Sequence, residues 1–390
     1  MALEVFSERV RAVGRFGIDT EFVGEGRYRT LLCVIQVVVS DAEGLEVVVL
    51  DALEPETDLA PLAQLLADPQ VEVIVHAGRQ DIALLRRCAN TEVNRIFDTQ
   101  IAAGFAGLSA QAGYDTLLRE VLGVRVQKTA SYTRWDRRPL DAEQLAYARE
   151  DVLHLLDLAE ELERRLAANG RVDWALEECR YLETVSDVRE VDTIFARLPR
   201  VNSLSGSARA IARELVAWRE EVAERQDRPA TTVLNDAALV ELAKRSPRTP
   251  EQLEQVRGVN PGSLRRRGSD LLATIARGSE QPPIPVEVER HEPSTPLDGP
   301  QIALAEALVR ARALEAGLAY ELIAARADLS AIVSSVRAGN REPGVRTLDG
   351  WRRELVGSEL MAMLRGERSL AVGEGGALAI RERNGTSAPD

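Results

Sequence analysis

Cysteine and histidine are almost missing from this sequence, with three of each in 390 residues. Cys33, Cys88 and Cys179 are far apart and odd in number, which excludes a zinc-ligand spacing and a disulfide framework. They read as small core residues of a protein kept in a reducing cytoplasm. The histidines fit no metal-ligand spacing either: His76 reads as a loop residue and His154 as a helix-face residue. Long apolar runs are lacking too, so no segment reaches the roughly 18 residues a membrane span needs. Glu4 and Glu8 stand where a signal peptide would be basic and apolar, so a cytoplasmic protein with no membrane partner is expected. Lysine is confined to Lys128 and Lys244, the other cations being arginines, as a coding bias towards Arg and Ala would produce.

What is present is the composition of a globular protein, 45% hydrophobic and 28% charged, in a chain long enough for two or three domains. The net charge of -13 is uneven. Residues 1–199 hold 22 Lys+Arg and 35 Asp+Glu, residues 200–280 hold 14 and 11, and residues 281–390 hold 13 and 16. The middle segment alone is net basic. An acidic first half repels phosphate unless it holds divalent cations, which reverse the local field.

Three β-rich runs come first, over 16–24, 30–40 and 45–52, separated by turn residues as in a meander. A helix over 59–67, a buried strand over 71–75, a helix over 81–88 and a short strand over 95–97 follow. Helices are expected over 99–105, 114–122 and 142–168. This order predicts an α/β domain with a mixed sheet and helices packed on it. From about Arg200 the pattern is helical throughout, broken by prolines. Residues 281–298 are proline-rich and acidic, as in a linker, and a Gly-rich polar tail begins at Gly373.

Four carboxylates carry the chemistry. Asp19 and Glu21 lie two apart in the first strand and therefore share a face. Asp81 falls in the first turn of a helix that follows a strand. Asp151 lies four residues after Tyr147 on a helix opened by Asp141 and Gln144, a capping-box pair, so phenol and carboxylate share a face. Such hard oxygen ligands suit Mg²⁺ or Mn²⁺. Two ions about 3.5–4 Å apart activate water and stabilise the leaving oxygen in phosphodiester hydrolysis. Beside them, Tyr147 either orients that water or helps to remove its proton.

In this order, Asp19-Thr20-Glu21-Phe22, His76-Ala77-Gly78-Arg79-Gln80-Asp81, and Tyr147 with Asp151 resemble the three exonuclease motifs of the tyrosine-bearing branch of the DEDD superfamily, and within it the ribonuclease D family. Phe97-Asp98-Thr99-Gln100 and the segment from Lys128 to Leu140 resemble it as well. The resemblance covers roughly residues 14–165. It implies a ribonuclease-H-like fold, two divalent ions held by Asp19, Glu21, Asp81 and Asp151, a water oriented by Tyr147, and 3′-5′ release of nucleoside 5′-monophosphates. Phe22, His76, Lys128, Thr133 and Trp135 are then expected to approach substrate; surface placement of Lys128 and packing of Trp135 are the alternative. Residues 205–280 resemble an HRDC domain, with Arg265-Arg266-Arg267 as a phosphate contact, and 299–372 a more divergent second copy.

The expected organisation is an exonuclease domain over 1–170, a helical connector over 171–204, the HRDC domain over 205–280, a linker over 281–298, a second helical domain over 299–372 and a flexible tail over 373–390. The expected activity is that of a monomeric exoribonuclease trimming structured RNA such as tRNA precursors. A DNA exonuclease acting on single strands and a noncatalytic RNA-binding scaffold remain the alternatives. On this organisation, a chain cut after about residue 200 keeps hydrolysis of short strands.

Overall fold

The computed structural model describes residues 2–126, 134–259, 261–286, 295–339 and 341–382. The chain opens with helix α1 (Ala2–Val13), then runs β1 (Arg15–Val23), β2 (Leu31–Asp41), β3 (Gly44–Asp51), α2 (Ala60–Ala67), β4 (Glu72–Val75), α3 (Arg79–Cys88), β5 (Ile96–Asp98) and α4 (Thr99–Phe105). One five-stranded sheet results, in the order β3-β2-β1-β4-β5. The first three strands are antiparallel, and β4 and β5 run parallel to β1. The expected meander and mixed sheet are therefore present. α1 was missing from that reading, although Leu3, Phe6 and Val10 recur at helical spacing and are buried.

Both faces of the sheet are covered, which is why β2 is buried continuously from Leu32 to Val39. On one face lie α1, α2 and α3, around Phe6, Phe16, Leu62 and Ile82. On the other lie α5 (Tyr114–Leu117, continuing as a π-helical turn to Leu122), α6 (Ala142–Leu153), α7 (Leu155–Ala168) and α8 (Val172–Cys179). The single helix expected over 142–168 is broken at His154, whose φ of -109° and ψ of 9° leave the helical region. The break has a packing cause: both helices touch β1 and β2, but α6 extends over β3 whereas α7 turns towards β4, α4 and α8. Gly17 permits this approach, because a Cβ there would stand 2.6 Å from Val38 Cγ1 and 3.1 Å from Leu155 Cδ2.

The helical remainder forms two units with different attachments. After α9 (Val191–Ala196), α10 (Gly206–Arg225), α11 (Ala230–Val233), α12 (Asp236–Arg245), α13 (Pro250–Glu254) and α14 (Pro261–Glu280) enclose their own core around Leu215, Trp218 and Leu239. This unit meets the nuclease half at the β1–β2 turn, where Tyr28 packs against it. Arg27 pairs with Asp227 at 2.6 Å, and Arg29 with Glu224 at 2.7 Å.

The second unit comprises α15 (Asp298–Ala316), α16 (Tyr320–Ile323), α17 (Arg326–Arg337), α18 (Gly350–Arg352) and α19 (Ser358–Leu364). It has no core of its own. Its Leu308, Ile332, Trp351 and Leu360 join Phe97, Phe105, Leu158 and Leu162 in one continuous cluster. Trp351 stacks on Trp174 at 5.4 Å and meets Phe105 edge-on at 4.9 Å. Its backbone N–H donates to Glu177, and Arg352 pairs with Glu178 at 2.8 Å. A chain cut after residue 200 would lose one wall of the nuclease core, so its autonomy is no longer the expectation.

The flexible tail expected over 373–390 also needs correction. β6 (Arg368–Val372) and β7 (Leu378–Glu382) form an antiparallel hairpin, with Leu370 and Ile380 against the same core. The glycines at 373, 375 and 376 make its turn, and the alternation of Leu378 and Ile380 fits a strand with one buried face. Residues 383–390 lie outside the described residues. Among the described residues no helix is long and apolar enough to cross a membrane.

Trp351→Ala should therefore cost about 3–5 kcal/mol, the usual range for emptying a large aromatic site. Urea unfolding checks this, and should show the nuclease half and the C-terminal unit melting together. A separate early transition for the C-terminal unit would contradict the shared core.

Candidate active site

The parallel strands β1, β4 and β5 end on the same side of the sheet, where an open α/β sheet offers a crevice. β1 pairs with β4 from Arg15 to Gly17, and runs on beyond it through Asp19 and Glu21. Alternation sends Asp19 and Glu21 to the face covered by α6, and Thr20 to the other face. α6 brings Asp151 over them, and carboxylate oxygens of Asp19, Glu21 and Asp151 come within 4.8 Å of one another. The helix is fixed by its N-terminus: Asp141 accepts from the Gln144 backbone N–H at 2.8 Å while the Gln144 side chain accepts from the Asp141 N–H at 3.0 Å.

Asp81 stands differently. It is buried in the first turn of α3, and accepts a hydrogen bond from the Thr20 hydroxyl on the far face of β1. The structure therefore gathers three of the four carboxylates read from the sequence into one cluster and holds the fourth beside it, close enough to raise the Asp19 carboxyl.

His76, Tyr114, Tyr147 and Leu155 complete a cavity of about 150 Å³ with the three clustered carboxylates. The turn carrying His76 has Ala77 at φ 52°, and Gly78 has no room for a side chain, since a Cβ would lie 2.6 Å from Val75 Cβ. Asp98 at the end of β5 holds this turn. Its carboxylate accepts from the Ala77 N–H at 3.0 Å and the Gly78 N–H at 2.9 Å, and it caps α4 through Gln100 N–H at 2.8 Å. Thr99 donates its one hydroxyl proton to the Val75 carbonyl at 3.0 Å, so it accepts from His76 Nδ1–H, also at 3.0 Å. That makes His76 Nε2 a hydrogen-bond acceptor, with no partner among the described residues. Burial pushes His76 down to about 4, against the opposing pull of Asp115, so the ring is neutral at neutral pH.

The remaining expectations fall unevenly. Trp135, expected near substrate, is buried with Cys33, Val34 and Ala148, its ring 6.1 Å from that of Tyr147. It supports Tyr147 from below. Arg138 pins this segment by donating to Asp51, and to the Trp135 carbonyl at 2.7 Å. Phe22 is half-buried at an irregularity in the β1–β2 pairing, and is not among the residues lining the cavity. Lys128 and Thr133 lie outside the described residues. Tyr114 and the holding role of Asp98 were missed. The signal for Asp98 was present, an acid at a strand end just before a helix; an isolated tyrosine gave none.

Burial dominates the electrostatics. It pushes Glu21 up to about 8, reinforced by Asp151 and Asp81. Asp151 is pushed up to about 7, the hydrogen bond from Tyr147 opposing the rise, and Asp19 stands well above the carboxylate range. Burial and then the same carboxylates raise the Tyr147 phenol, so it stays protonated and acts as a donor. A protonated phenol is a hydrogen-bond donor, which suits the orienting role of the two open to Tyr147. A set of hard oxygen donors with mutual repulsion and no paired cation among the described residues fits divalent metal binding.

Because these folded-state values are raised, the three carboxylates bind more protons in the folded protein than in the unfolded chain between about pH 4.5 and 8, outweighing the single opposite contribution of His76 below its ordinary value of 6.5. Stability of the metal-free protein should fall as pH rises through that window, and saturating Mg²⁺ should remove the fall. Thermal melts from about pH 5 to 8, with and without Mg²⁺, check this. Parallel profiles in the two series would contradict it.

The family described as 3′-5′ exonuclease matches residues 1–167, and the HRDC domain matches residues 208–275. Ribonuclease D of Granulibacter bethesdensis is 38% identical over 91% of this chain and 88% of its own length. Ribonuclease D of Gluconacetobacter diazotrophicus is 34% identical over 94% and 91%. The crystal structure of Escherichia coli RNase D, described as an exoribonuclease involved in structured RNA processing, superposes with a TM-score of 0.78 at 26% identity, covering 94% of this chain and 96% of that one. A sheet-end carboxylate cluster, the two domain matches and whole-length similarity together mean that the chain belongs to the ribonuclease D family and is a 3′-5′ exoribonuclease with an HRDC domain.

Proposed function

We propose that the protein shortens structured RNA, tRNA precursors among its substrates, from the 3′ end and releases nucleoside 5′-monophosphates by two-metal hydrolysis. The reading places it in the cytoplasm as a monomer. The observation that carries it is the cluster of Asp19, Glu21 and Asp151 at the floor of an open cavity beside Tyr147. Two Mg²⁺ or Mn²⁺ ions, when bound, would supply activation of water and neutralisation of the leaving oxygen. Asp19, Glu21 and Asp151 offer the oxygen ligands, and Asp81 is the fourth. Tyr147, kept protonated, donates a hydrogen bond that aligns the attacking water. His76 and Tyr114, with ring centroids 5.5 Å apart, offer aromatic faces along the cavity wall for the terminal nucleotide.

Structured RNA is favoured by the HRDC unit. Arg266, Arg228 and Arg225 gather near Arg267, where burial and then their charges lower its affinity for its own proton. Such a cluster suits closely spaced phosphates. This patch lies on the net-basic part of the chain, Arg225 and Arg228 flanking the Glu224 and Asp227 that pair with the β1–β2 turn.

The test uses matched 5′-labelled and 3′-labelled RNA and DNA strands with Mg²⁺, Mn²⁺ or chelator. Stepwise shortening of 5′-labelled RNA, early mononucleotide from the 3′ label and silence in chelator are expected. Preference for DNA would favour a DNA exonuclease, and binding without cleavage a scaffold. Asp19→Asn and Asp151→Asn should each lower turnover at least ~10³-fold, several kcal/mol of transition-state stabilisation, while RNA still binds. Undiminished activity in either would overturn the site. Arg266→Ala with Arg267→Ala should weaken binding of a structured RNA and lower the slope of log affinity against log salt by about one per lost phosphate contact. An unchanged slope would remove this patch from the RNA path.

A further inference from the structure

Gln36 lies in the middle of β2, directly across from Asp19 on β1, so the two side chains share the face of the sheet that bears the active site. It is 0% exposed, and neither carboxamide atom has a hydrogen-bond partner among the described residues. Its same-face neighbours on β2, Val34 and Val38, are aliphatic and pack into the apolar clusters on either side. Above them, the residues that α6 buries towards the sheet include Ala148 and Val152, which offer no polar side-chain atom; Gln144 is engaged in the helix cap. Packing alone therefore asks for an aliphatic residue at position 36. A buried, unpaired carboxamide is destabilising unless some state of the protein uses it.

We infer that Gln36 is a positioning residue for Asp19, its carboxamide N–H donating to one Asp19 oxygen when that carboxylate holds a divalent cation and so leaving the other oxygen directed at the ion. Oxygen ligands of a metal are commonly oriented by such a hydrogen bond, whose loss lowers affinity or activity 10–100-fold. Cross-strand placement suits the task, because directly opposed side chains start about 4.5–5.5 Å apart and an unbranched amide spans that gap. The inference rests on the reading of Asp19 as a metal ligand.

Gln36→Met keeps the length of the side chain and removes its polar atoms. Mn²⁺ binding to the full-length protein, followed by the electron paramagnetic resonance of the free ion, should weaken about tenfold. The melting temperature of the metal-free variant should equal or exceed that of the unsubstituted protein, a combination that a merely structural role would not give. Turnover should fall at low Mn²⁺ and recover at high Mn²⁺, with KM for RNA unchanged. Asp19→Asn is the control. If it loses Mn²⁺ while Gln36→Met binds the ion normally, Gln36 has no part in positioning and the inference fails alone. If Asp19→Asn binds Mn²⁺ normally, the ligand reading fails and the inference with it. Should Gln36→Met not fold, Gln36→Leu carries the same comparison.

Discussion

The structure depends on one unfavourable juxtaposition: three half-buried carboxylates brought together at the end of a sheet, with no paired cation among the described residues. Left to themselves such groups take up protons, as the raised values of Asp19, Glu21 and Asp151 show. The protein's answer is to make the surroundings rigid. β1 is a central strand, α6 is locked by a reciprocal cap, and Asp98 anchors the turn that carries His76. Rigidity keeps the carboxylates from swinging away from one another, so the repulsion persists until something positive relieves it. That is the electrostatic condition a divalent-ion site requires.

The helical additions solve two different problems. The HRDC unit closes its own core and touches the nuclease half through charged pairs and Tyr28, an attachment consistent with a module that presents a basic surface. The C-terminal unit is part of the catalytic body. Phe105, Trp174 and Trp351 form its centre, and α4 and α7, whose other sides face the sheet, lean on it. A family resemblance that divides the chain into domains by sequence does not distinguish these attachments. Both units read as small helical bundles, and the difference lies in which face each leaves uncovered.

The sequence made the sheet and the carboxylates legible because both follow local rules. Alternation put Asp19 and Glu21 on one face, and helical spacing put Tyr147 with Asp151. Long-range facts were not legible. The break at His154 arises because α6 and α7 cross the sheet in different directions, one towards β3 and the other towards β4, and the β6–β7 hairpin was hidden by glycines that read as fraying. α1 was legible from Leu3, Phe6 and Val10 but overlooked, since the acids at its start were read only for export. Asp81 shows the limit most clearly. Its helix position was foreseen, yet the hydrogen bond from Thr20 that holds it beside the cluster depends on which face of β1 the helix approaches. Trp135 is a similar case: only the packed structure shows it buried beneath Tyr147 instead of open to substrate.

The central claim is that the carboxylate cluster exists to hold divalent cations. Anomalous diffraction from crystals of the protein soaked in Mn²⁺ tests it most directly. Two peaks about 3.5–4 Å apart, touching Asp19, Glu21, Asp81 and Asp151, are expected. Absence of any peak at these carboxylates, or Mn²⁺ bound elsewhere in an active crystal, would contradict it.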